Sequence, residues 1–180
     1  DGLINNAFLN HAKNQSKDGV NSFETFPIEM WNKALELNLT GVFLCCQEIG
    51  KIMVQQKTGV IVNVSSIYGM SGADQRIYGE SNLNSPVSYA ASKGGIINLT
   101  RYLAAYWNKK NIRVNTLTLG GVQDNSYQSK NFIKKYSEKT ILGRMAKKDE
   151  YEGAMLFLLS DASSYMTGSN LVIDGGWTAW

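Results

Sequence analysis

Val60-Ile61-Val62-Asn63-Val64 is bounded by Gly59 on one side and by Ser65-Ser66 on the other. A short run of β-branched residues between turn residues predicts a strand that is buried on both faces, as in a parallel sheet. The residues before it, from about Ile28 to Gln56, place apolar side chains at helical spacing, and residues 86–110 repeat that spacing. A strand between two helices of this length is typical of a βαβ unit.

The rest of the chain continues this alternation of strands and helices. Further elements are predicted as strands at residues 2–7, 112–117 and 171–173, as helices at residues 126–140 and 149–159, and as polar loops at residues 8–27 and 67–85. No internal repeat or low-complexity linker divides the sequence. We therefore predict a single α/β domain over residues 1–180, with a parallel sheet and right-handed crossovers.

Glycine, proline and serine mark the predicted helix ends. Ser85 is the expected N-cap of the second long helix, with Pro86 at its first helical position. Gly41, in the middle of the first long helix, costs about 1 kcal/mol relative to alanine and predicts a kink or a close backbone approach. Gly59 is the expected C-cap of that helix.

Polar or glycine pairs follow three of the predicted strands directly. Asn5-Asn6, Ser65-Ser66 and Gly120-Gly121 each come after a strand, and the carboxyl ends of parallel strands meet in one crevice where ligands bind. Tyr89 and Lys93 are four residues apart on the helix that follows the two serines, so both lie on one face of that helix. We expect this pair to reach the same crevice.

The composition gives no sign of a strongly charged partner. The net charge of +3 over 180 residues is small and the basic residues are dispersed, so we predict neither a nucleic acid nor a membrane partner. The sequence shows no apolar run of membrane-spanning length and no signal-peptide pattern. Cys45 and Cys46 are adjacent in an apolar segment, which predicts buried thiols in a reducing cytoplasm. With His11 as the only histidine, no metal site is predicted.

The order of eight short motifs resembles that of the short-chain dehydrogenase/reductase family. The motifs are Asn-Asn-Ala, Asn-Leu-Thr-Gly, a strand ending in Ser-Ser, Tyr-x-x-x-Lys, Arg-Val-Asn, Gly-Gly, Ser-Asp-x-x-Ser-Tyr-x-Thr-Gly and Asp-Gly-Gly. The resemblance implies a Rossmann-type, doubly wound parallel sheet in three α/β/α layers. It also implies an NAD(P)-dependent oxidoreductase, which transfers a hydride between a nicotinamide and a secondary alcohol or ketone.

The family's catalytic residues can be carried over onto four positions. By this resemblance Tyr89 is the general acid/base, and Lys93 holds the ribose hydroxyls and lowers the pKa of Tyr89. A nearby ammonium favours the tyrosinate, and a catalytic base works best with a pKa near the working pH. Ser66 matches the serine that hydrogen-bonds the substrate oxygen. Asn38, beside Gly41, matches the asparagine that holds a water in the proton relay.

The resemblance also assigns residues to the cofactor, NAD or NADP. These residues belong to the turn after the first strand, the end of the Ser-Ser strand, the Tyr-Lys pair and the Gly-Gly turn beside the nicotinamide carboxamide: Asn5, Ala7, Val64, Tyr89, Lys93, Gly120 and Val122.

The sequence departs from the family pattern in several places. The glycine-rich phosphate loop is absent, and the chain opens on a predicted buried strand. We therefore expect the first βαβ portion to be missing, and the choice between NAD and NADP cannot be made. Phe8 stands where a glycine is usual, and Asp124 replaces a usual threonine. Leu119 replaces the common proline before Gly120, which is expected to loosen that turn.

The loop between Ser66 and Tyr89 is longer than is usual in the family. Arg76 in this loop is a candidate to hold a phosphate, and Tyr68 and Tyr78 are candidates to stack on a base or a sugar. The long loop and the Asp-Gly-Gly-Trp-Thr ending are similar to the branch of the family found with flagellin glycosylation and surface-polysaccharide sugar synthesis. That similarity implies a sugar or a sugar nucleotide as the substrate.

Two other functions stay open. One is a reductase for a 3-oxoacyl carrier-protein thioester or a small ketone, against which the long loop argues. The other is a truncated assembly subunit without activity, which the absent phosphate loop favours and the intact Asn38, Ser66, Tyr89 and Lys93 oppose. Family members are mostly homodimers or homotetramers, packing the two long helices against symmetry mates. Gly94-Gly95 would permit close packing there.

Overall fold

The computed structural model describes residues 1–9, 22–81 and 83–180. Four parallel strands form one sheet in the order β1-β2-β3-β4: β1 Gly2–Asn5, β2 Gly59–Ser66, β3 Ile112–Leu119 and β4 Asn170–Ile173. In the register of the central pair, Asn63 lies opposite Thr116 and Ser66 opposite Leu119. The strands therefore end close together at their carboxyl edge. Most of the predicted 8–27 loop, including His11, lies outside the described residues.

Five α-helices connect or flank the strands: α1 Ile28–Leu35, α2 Gly41–Gln56, α3 Val87–Tyr106, α4 Lys130–Ser137 and α5 Glu152–Leu159. Single 3₁₀ turns lie between them at Phe23–Thr25, Ile67–Gly69, Gln75–Tyr78, Lys148–Tyr151 and Asp161–Ser163. The two helices predicted at residues 126–140 and 149–159 are thus shorter than the sequence suggests, and the second begins with a 3₁₀ turn.

The sheet is covered by helices on both faces. On one face, α2 and α3 pack Cys46, Met53 and Ile96 against Ile61 of β2 and Val114 of β3. On the other face, Leu158 of α5 packs against Val62 and Leu117. The alternation of Ile61 and Val62 between the two cores follows from the two-residue period of a strand. The predicted three-layer α/β arrangement with a parallel sheet is confirmed.

The first long helix is interrupted by one wider turn. Residues Glu36–Thr40, between α1 and α2, are π-helical. The predicted irregularity therefore lies in the turn just before Gly41, and it contains Asn38. Wider turns of this kind are frequent at functional sites because they re-aim a side chain without breaking the helix.

The predicted helix caps are off by one or two residues. Lys57, with φ 58°, adopts the left-handed conformation after α2, so Gly59 is not the C-cap. Gly59 instead begins β2, where a Cβ atom would collide with Met53. Pro86 is the N-cap of α3 and Ser85 lies outside the helix, where its N–H donates to Oε1 of Gln75 at 2.9 Å.

Three other expectations about the long helices were wrong. Gly95 packs inside the chain, since a Cβ atom there would lie 3.0 Å from Leu39, and Gly94 faces the carbonyl of Gly69. Cys45 is exposed, although Cys46 is buried as expected. The continuous helix Ile28–Gln56 does reach the length and mean hydropathy of a membrane span. Core helices of soluble proteins pass the same test, and this helix contributes Val42, Cys46 and Met53 to the core.

A buried amide network ties the first two strands to α3. Asn63 is fully buried, accepts from Nδ2 of Asn5 at 2.8 Å and donates to Oγ1 of Thr100 at 3.0 Å. Asn5 also donates to Sγ of Cys46 at 3.3 Å. Because a buried polar group without a partner costs about 1–3 kcal/mol, these bonds fix the spacing of β1, β2 and the two helices above them.

Candidate active site

The helix that carries Tyr89 and Lys93 is anchored directly to the end of β2. Oγ of Ser65 donates to the carbonyl of Lys93 at 2.8 Å. The turn that follows β2 lies against the same point of α3, since a Cβ atom on Gly69 would lie 2.6 Å from the carbonyl carbon of Lys93. Only glycine permits this approach. Strand end, turn and helix are therefore held together where the catalytic pair was predicted.

Tyr89 and Ser66 meet through their hydroxyl groups. A hydrogen bond from Ser66 lowers the pKa of Tyr89, but burial raises that pKa by more, so the net direction is upward. Ser66 is itself buried, and its Oγ accepts from the N–H of Tyr68 at 3.3 Å. The pKa of Tyr89 was expected to be lowered, but its net direction is upward, because desolvation of the phenol outweighs the hydrogen bond with Ser66.

Lys93 is a buried cation with few neighbours that can solvate it. Its side chain is 3% exposed, and Nζ donates to the carbonyl of Val64 at 2.9 Å. Nζ also lies 5.4 Å from the ring centroid of Phe8 and 5.7 Å from that of Tyr89. Burial lowers the pKa of Lys93 to about 8. Both rings are within the range of a cation–π interaction, which partly offsets that cost.

A cavity of about 270 Å³ opens at the carboxyl ends of the strands, beside this pair. Among the described residues that line it, Lys93 carries the only charged side chain. Aromatic rings supply much of the wall, namely Phe8, Tyr68, Tyr78, Tyr89, Tyr127, Phe132 and Tyr136. Backbone and small polar groups supply the rest, including Asn6, Ser66, Asn84, Gly120, Val122 and Gln128.

The structure brings most of the predicted site residues to this cavity, but not all. The residues at the wall are Val64, Ser66, Tyr68, Tyr78, Tyr89, Lys93, Gly120 and Val122. Asn5, Ala7, Asn38 and Arg76 do not line it. Asn5 is engaged in the buried amide network, and at the end of β1 its neighbours Asn6 and Phe8 face the cavity instead.

In this structure Asn38 forms hydrogen bonds that join two segments of the fold. The side chain is 1% exposed; Oδ1 accepts from the N–H of Leu9 at 2.8 Å and Nδ2 donates to Oγ of Ser92 at 3.4 Å. Ser92 in turn donates to the carbonyl of Tyr89 at 2.9 Å. Asn38 therefore links the segment that carries Phe8 to the helix that carries Tyr89.

Arg76 is exposed, is paired with a carboxylate and does not line the cavity. Its Nε and Nη2 donate to the two oxygens of Asp74, both at 2.8 Å. Asp74 also pairs with Nζ of Lys139. The two cations hold the pKa of Asp74 well below its usual range, the hydrogen bond from Arg76 being the larger cause. The structure does not place Arg76 where it would hold a substrate phosphate.

Several wall residues were missed in the sequence. Phe8 was visible only as a departure from a usual glycine. Phe132 and Tyr136 are four residues apart on the otherwise polar α4, and this aromatic face was the available signal. Tyr127 and Gln128 carried no spacing that distinguishes them from an ordinary loop. Within the part of the chain that the structure describes, no three His, Cys, Asp or Glu side chains gather as metal ligands.

Comparison with known proteins agrees with this fold. A family model described as Enoyl-(Acyl carrier protein) reductase matches residues 1–178. The chain is 36% identical over 171 residues to post-translational flagellin modification protein A of Campylobacter coli, a match that covers 94% of this chain and 66% of that protein. It is 35% identical over 158 residues to D-threitol dehydrogenase of Mycolicibacterium smegmatis, covering 86% of this chain and 57% of the relative.

A solved structure is similar over almost the whole chain. The short chain dehydrogenase of Leptospira borgpetersenii serovar Hardjo-bovis, with bound NAD+, is 42% identical and has a TM-score of 0.87, covering 99% of this chain and 65% of its own. The fold and these matches define a Rossmann-type α/β protein. The chain belongs to the short-chain dehydrogenase/reductase family, as the order of its motifs predicted. It spans 57 to 66% of the length of the three proteins.

Proposed function

We propose that this chain carries the proton-transfer site of an NAD(P)-dependent oxidoreductase that interconverts a secondary alcohol and a ketone on a sugar or sugar alcohol. The observation that carries the proposal is the meeting of Ser66, Tyr89 and Lys93 at one cavity beside the strand ends. These three side chains lie on two elements that Ser65 and Gly69 lock together. Because the hydroxyl groups of Ser66 and Tyr89 are held in fixed positions, they are suited to transferring a proton to or from one atom of a bound substrate.

Each residue has a distinct part in that proton transfer. Tyr89 donates its hydroxyl proton to the carbonyl oxygen in reduction, and takes the alcohol proton in oxidation. Ser66 donates a hydrogen bond to the same substrate oxygen and stabilises the charge that develops there. Lys93 supplies a positive charge on the same wall, which stabilises Tyr89 when it is an anion. The raised pKa of Tyr89 favours the neutral phenol, which is the form that donates the proton in reduction. In oxidation the tyrosinate is the form that takes the alcohol proton.

The residues of this chain fit the nicotinamide end of NAD or NADP. Lys93 and Tyr89 present an ammonium and a hydroxyl on one wall, a donor pair suited to ribose hydroxyls. The backbone of Gly120–Val122 forms the adjoining wall, and Val64 supplies the strand end between them. When bound, NAD or NADP supplies the hydride acceptor or donor. A phosphate-binding glycine loop is not part of this sequence, so the fit concerns the nicotinamide end.

A neutral polyhydroxy substrate suits the cavity better than a charged one. Apart from Lys93, no described residue at the wall has a charged side chain that would pair with a phosphate or a carboxylate. Tyrosines combine an apolar ring with a hydroxyl, and so match the alternating C–H and O–H groups of a sugar alcohol. Of the two substrates expected from the sequence, a sugar and a sugar nucleotide, the cavity wall therefore favours a sugar without a nucleotide.

A reductase for 3-oxoacyl thioesters is the second candidate. The apolar wall formed by Phe132 and Met145 favours it, because an acyl chain needs such a surface. The hydroxyl-bearing rings of Tyr68 and Tyr78 at the same wall favour the sugar alcohol instead.

Turnover of a substrate panel tests the proposal. Sugar alcohols, sugar nucleotides and 3-oxoacyl thioesters are offered with each of the two cofactors to the natural protein that carries this sequence, and cofactor fluorescence is followed. We expect cofactor binding and turnover of sugar alcohols. Turnover of thioesters alone would replace the proposal by the second candidate. Binding of neither cofactor would point to the assembly subunit.

Replacing Arg76 by glutamine tests the neutral character of the substrate. Because this side chain is exposed and paired with Asp74, we expect kcat/KM for a sugar alcohol to change by less than about twofold, as for other surface substitutions. Lys134→Gln, on the exposed face of α4, is the matched control. A selective tenfold loss in Arg76→Gln would show that the arginine holds an anionic substrate group after all.

We also propose a homodimer or homotetramer. The outer faces of α2 and α3 expose apolar side chains that none of the described residues covers: Phe43 is 44% exposed, Leu44 49%, Tyr102 63% and Tyr106 68%. Exposed apolar patches of this kind support an interface between copies of the chain.

A further inference from the structure

The turn Gly120–Val122 forms one wall of the main cavity. It is preceded by Leu119 instead of the proline that is common in the family and that would stiffen the turn. The N–H and carbonyl groups of both its glycines are nevertheless hydrogen-bonded. The N–H of Gly120 donates to the carbonyl of Ile173 at 2.8 Å, and the carbonyl of Gly121 accepts from the N–H of Ala146 at 3.0 Å. The remaining two groups, the carbonyl of Gly120 and the N–H of Gly121, are bonded to two tyrosine hydroxyls, one on each side of the turn.

Tyr136 of α4 holds the turn from the first side. Its hydroxyl oxygen accepts from the N–H of Gly121 at 2.6 Å. The side chain is 3% exposed, and its ring lies 4.3 Å from that of Trp177 and 5.9 Å from that of Phe132, measured between centroids. The position of the hydroxyl is therefore set by packing on two sides. A Cβ atom on Gly121 would collide with this ring, so glycine is required for the contact.

Tyr151, which directly precedes α5, holds the turn from the other side. Its hydroxyl donates to the carbonyl of Gly120 at 3.2 Å, and the side chain is 8% exposed. Behind the turn lies a second cavity of about 120 Å³, lined by both tyrosines and both glycines. The turn therefore has a cavity on each side, and its closest contacts are with the ring of Tyr136 and the backbone of Asp174.

We propose that Tyr136 and Tyr151 are positioning residues that hold the Gly120–Val122 turn in the orientation that receives the nicotinamide. This inference rests on the proposed function, because it takes the turn to be the nicotinamide wall. The two hydroxyls replace the stiffness that a proline at position 119 would give. Tyr136 also ties α4, which forms the substrate wall, to the cofactor wall.

Binding of NADH and of ADP-ribose separates this role from a general effect on the fold. ADP-ribose lacks the nicotinamide, so it does not contact the turn. In the natural protein that carries this sequence, we expect Tyr136→Phe to weaken NADH binding about three- to tenfold, the effect of one hydrogen bond. ADP-ribose binding should stay at the wild-type value. Tyr165→Phe, which removes a hydroxyl from a fully exposed side chain, is the control.

The outcomes are distinct. A selective loss of NADH binding in Tyr136→Phe supports the inference. Equal weakening of both ligands, or no change in either, overturns it while leaving the proposed function intact. If the wild-type protein binds neither ligand, the proposed function falls and the inference with it. Tyr151→Phe is read by the same criteria, and it decides the matter if Tyr136→Phe fails to fold.

Discussion

Replacing Tyr89 by phenylalanine is expected to lower kcat for the sugar alcohol by about 10²- to 10⁴-fold, the usual contribution of a positioned acid or base. The substitution removes one oxygen and keeps the ring that packs on Phe8 at a centroid distance of 6.0 Å. NADH binding should weaken by no more than the loss of one hydrogen bond to the ribose, about three- to tenfold. Steady-state kinetics in both directions, together with a fluorescence titration of NADH, measure the two effects separately.

Tyr102→Phe is the matched control for this experiment. Tyr102 lies on the same helix but is 63% exposed, so removal of its hydroxyl should leave kcat unchanged. If Tyr89→Phe retained more than about a tenth of the wild-type kcat, a loss below the range for acid–base catalysis, Tyr89 would not be the proton donor.

Replacing Lys93 by methionine is expected to abolish most of the activity while making the fold more stable. The pKa of about 8 in place of 10.5 means that charging Lys93 costs about 3 kcal/mol more in the folded than in the unfolded chain. The variant loses the bond to the carbonyl of Val64, worth about 1 kcal/mol. We therefore expect a net gain near 2 kcal/mol at pH 7, and a loss of activity of at least about 10²-fold.

The pH dependence of the free energy of unfolding tests the same prediction independently. Between about pH 8 and pH 10.5 the unfolded chain binds the Lys93 proton and the folded chain does not, so stability rises with pH across that window. The destabilisation caused by the buried charge of Lys93 is fully present below about pH 8 and absent above about pH 10.5. Denaturant unfolding of the wild type and of Lys93→Met should therefore converge as the pH is raised. Lys134→Met, on an exposed lysine, controls for loss of charge. A Lys93→Met variant less stable than wild type at pH 7 would contradict this account.

The sequence placed the elements of the sheet and the chemistry at the end of β2, because those features depend on local order. The β-branched run at Val60–Val64 and the spacing of Tyr89 and Lys93 each determine a strand or a helix face without reference to the rest of the chain. The π-helical turn at Asn38 was also foreshadowed, since Gly41 marks the weak point of the helix. The short-range pattern thus predicts which elements form, while the exact ends of the helices differ by a few residues.

The expectations that changed concern side chains whose contacts a short motif does not show. Arg76 was a candidate to hold a phosphate, but it pairs with Asp74, two residues before it, and Asp74 is also paired with the distant Lys139. Leu119 was expected to loosen its turn, whereas Tyr136 and Tyr151 hold that turn from positions 15 and 31 residues away from their partners. Burial raises the pKa of Tyr89, and the degree of burial is not visible in a five-residue motif.

The long loop after β2 and helix α4 are joined on their facing sides. The ring of Tyr78 lies 5.3 Å from that of Phe132, and Lys135 donates to the carbonyl of Arg76 at 3.4 Å. Lys139 pairs with Asp74 across the same junction. The two segments are therefore packed as one unit, so a change in the position of either one is expected to move the other. Evolution of a new substrate preference from this chain has to alter loop and helix together, since exchanging either alone leaves the other without its partners.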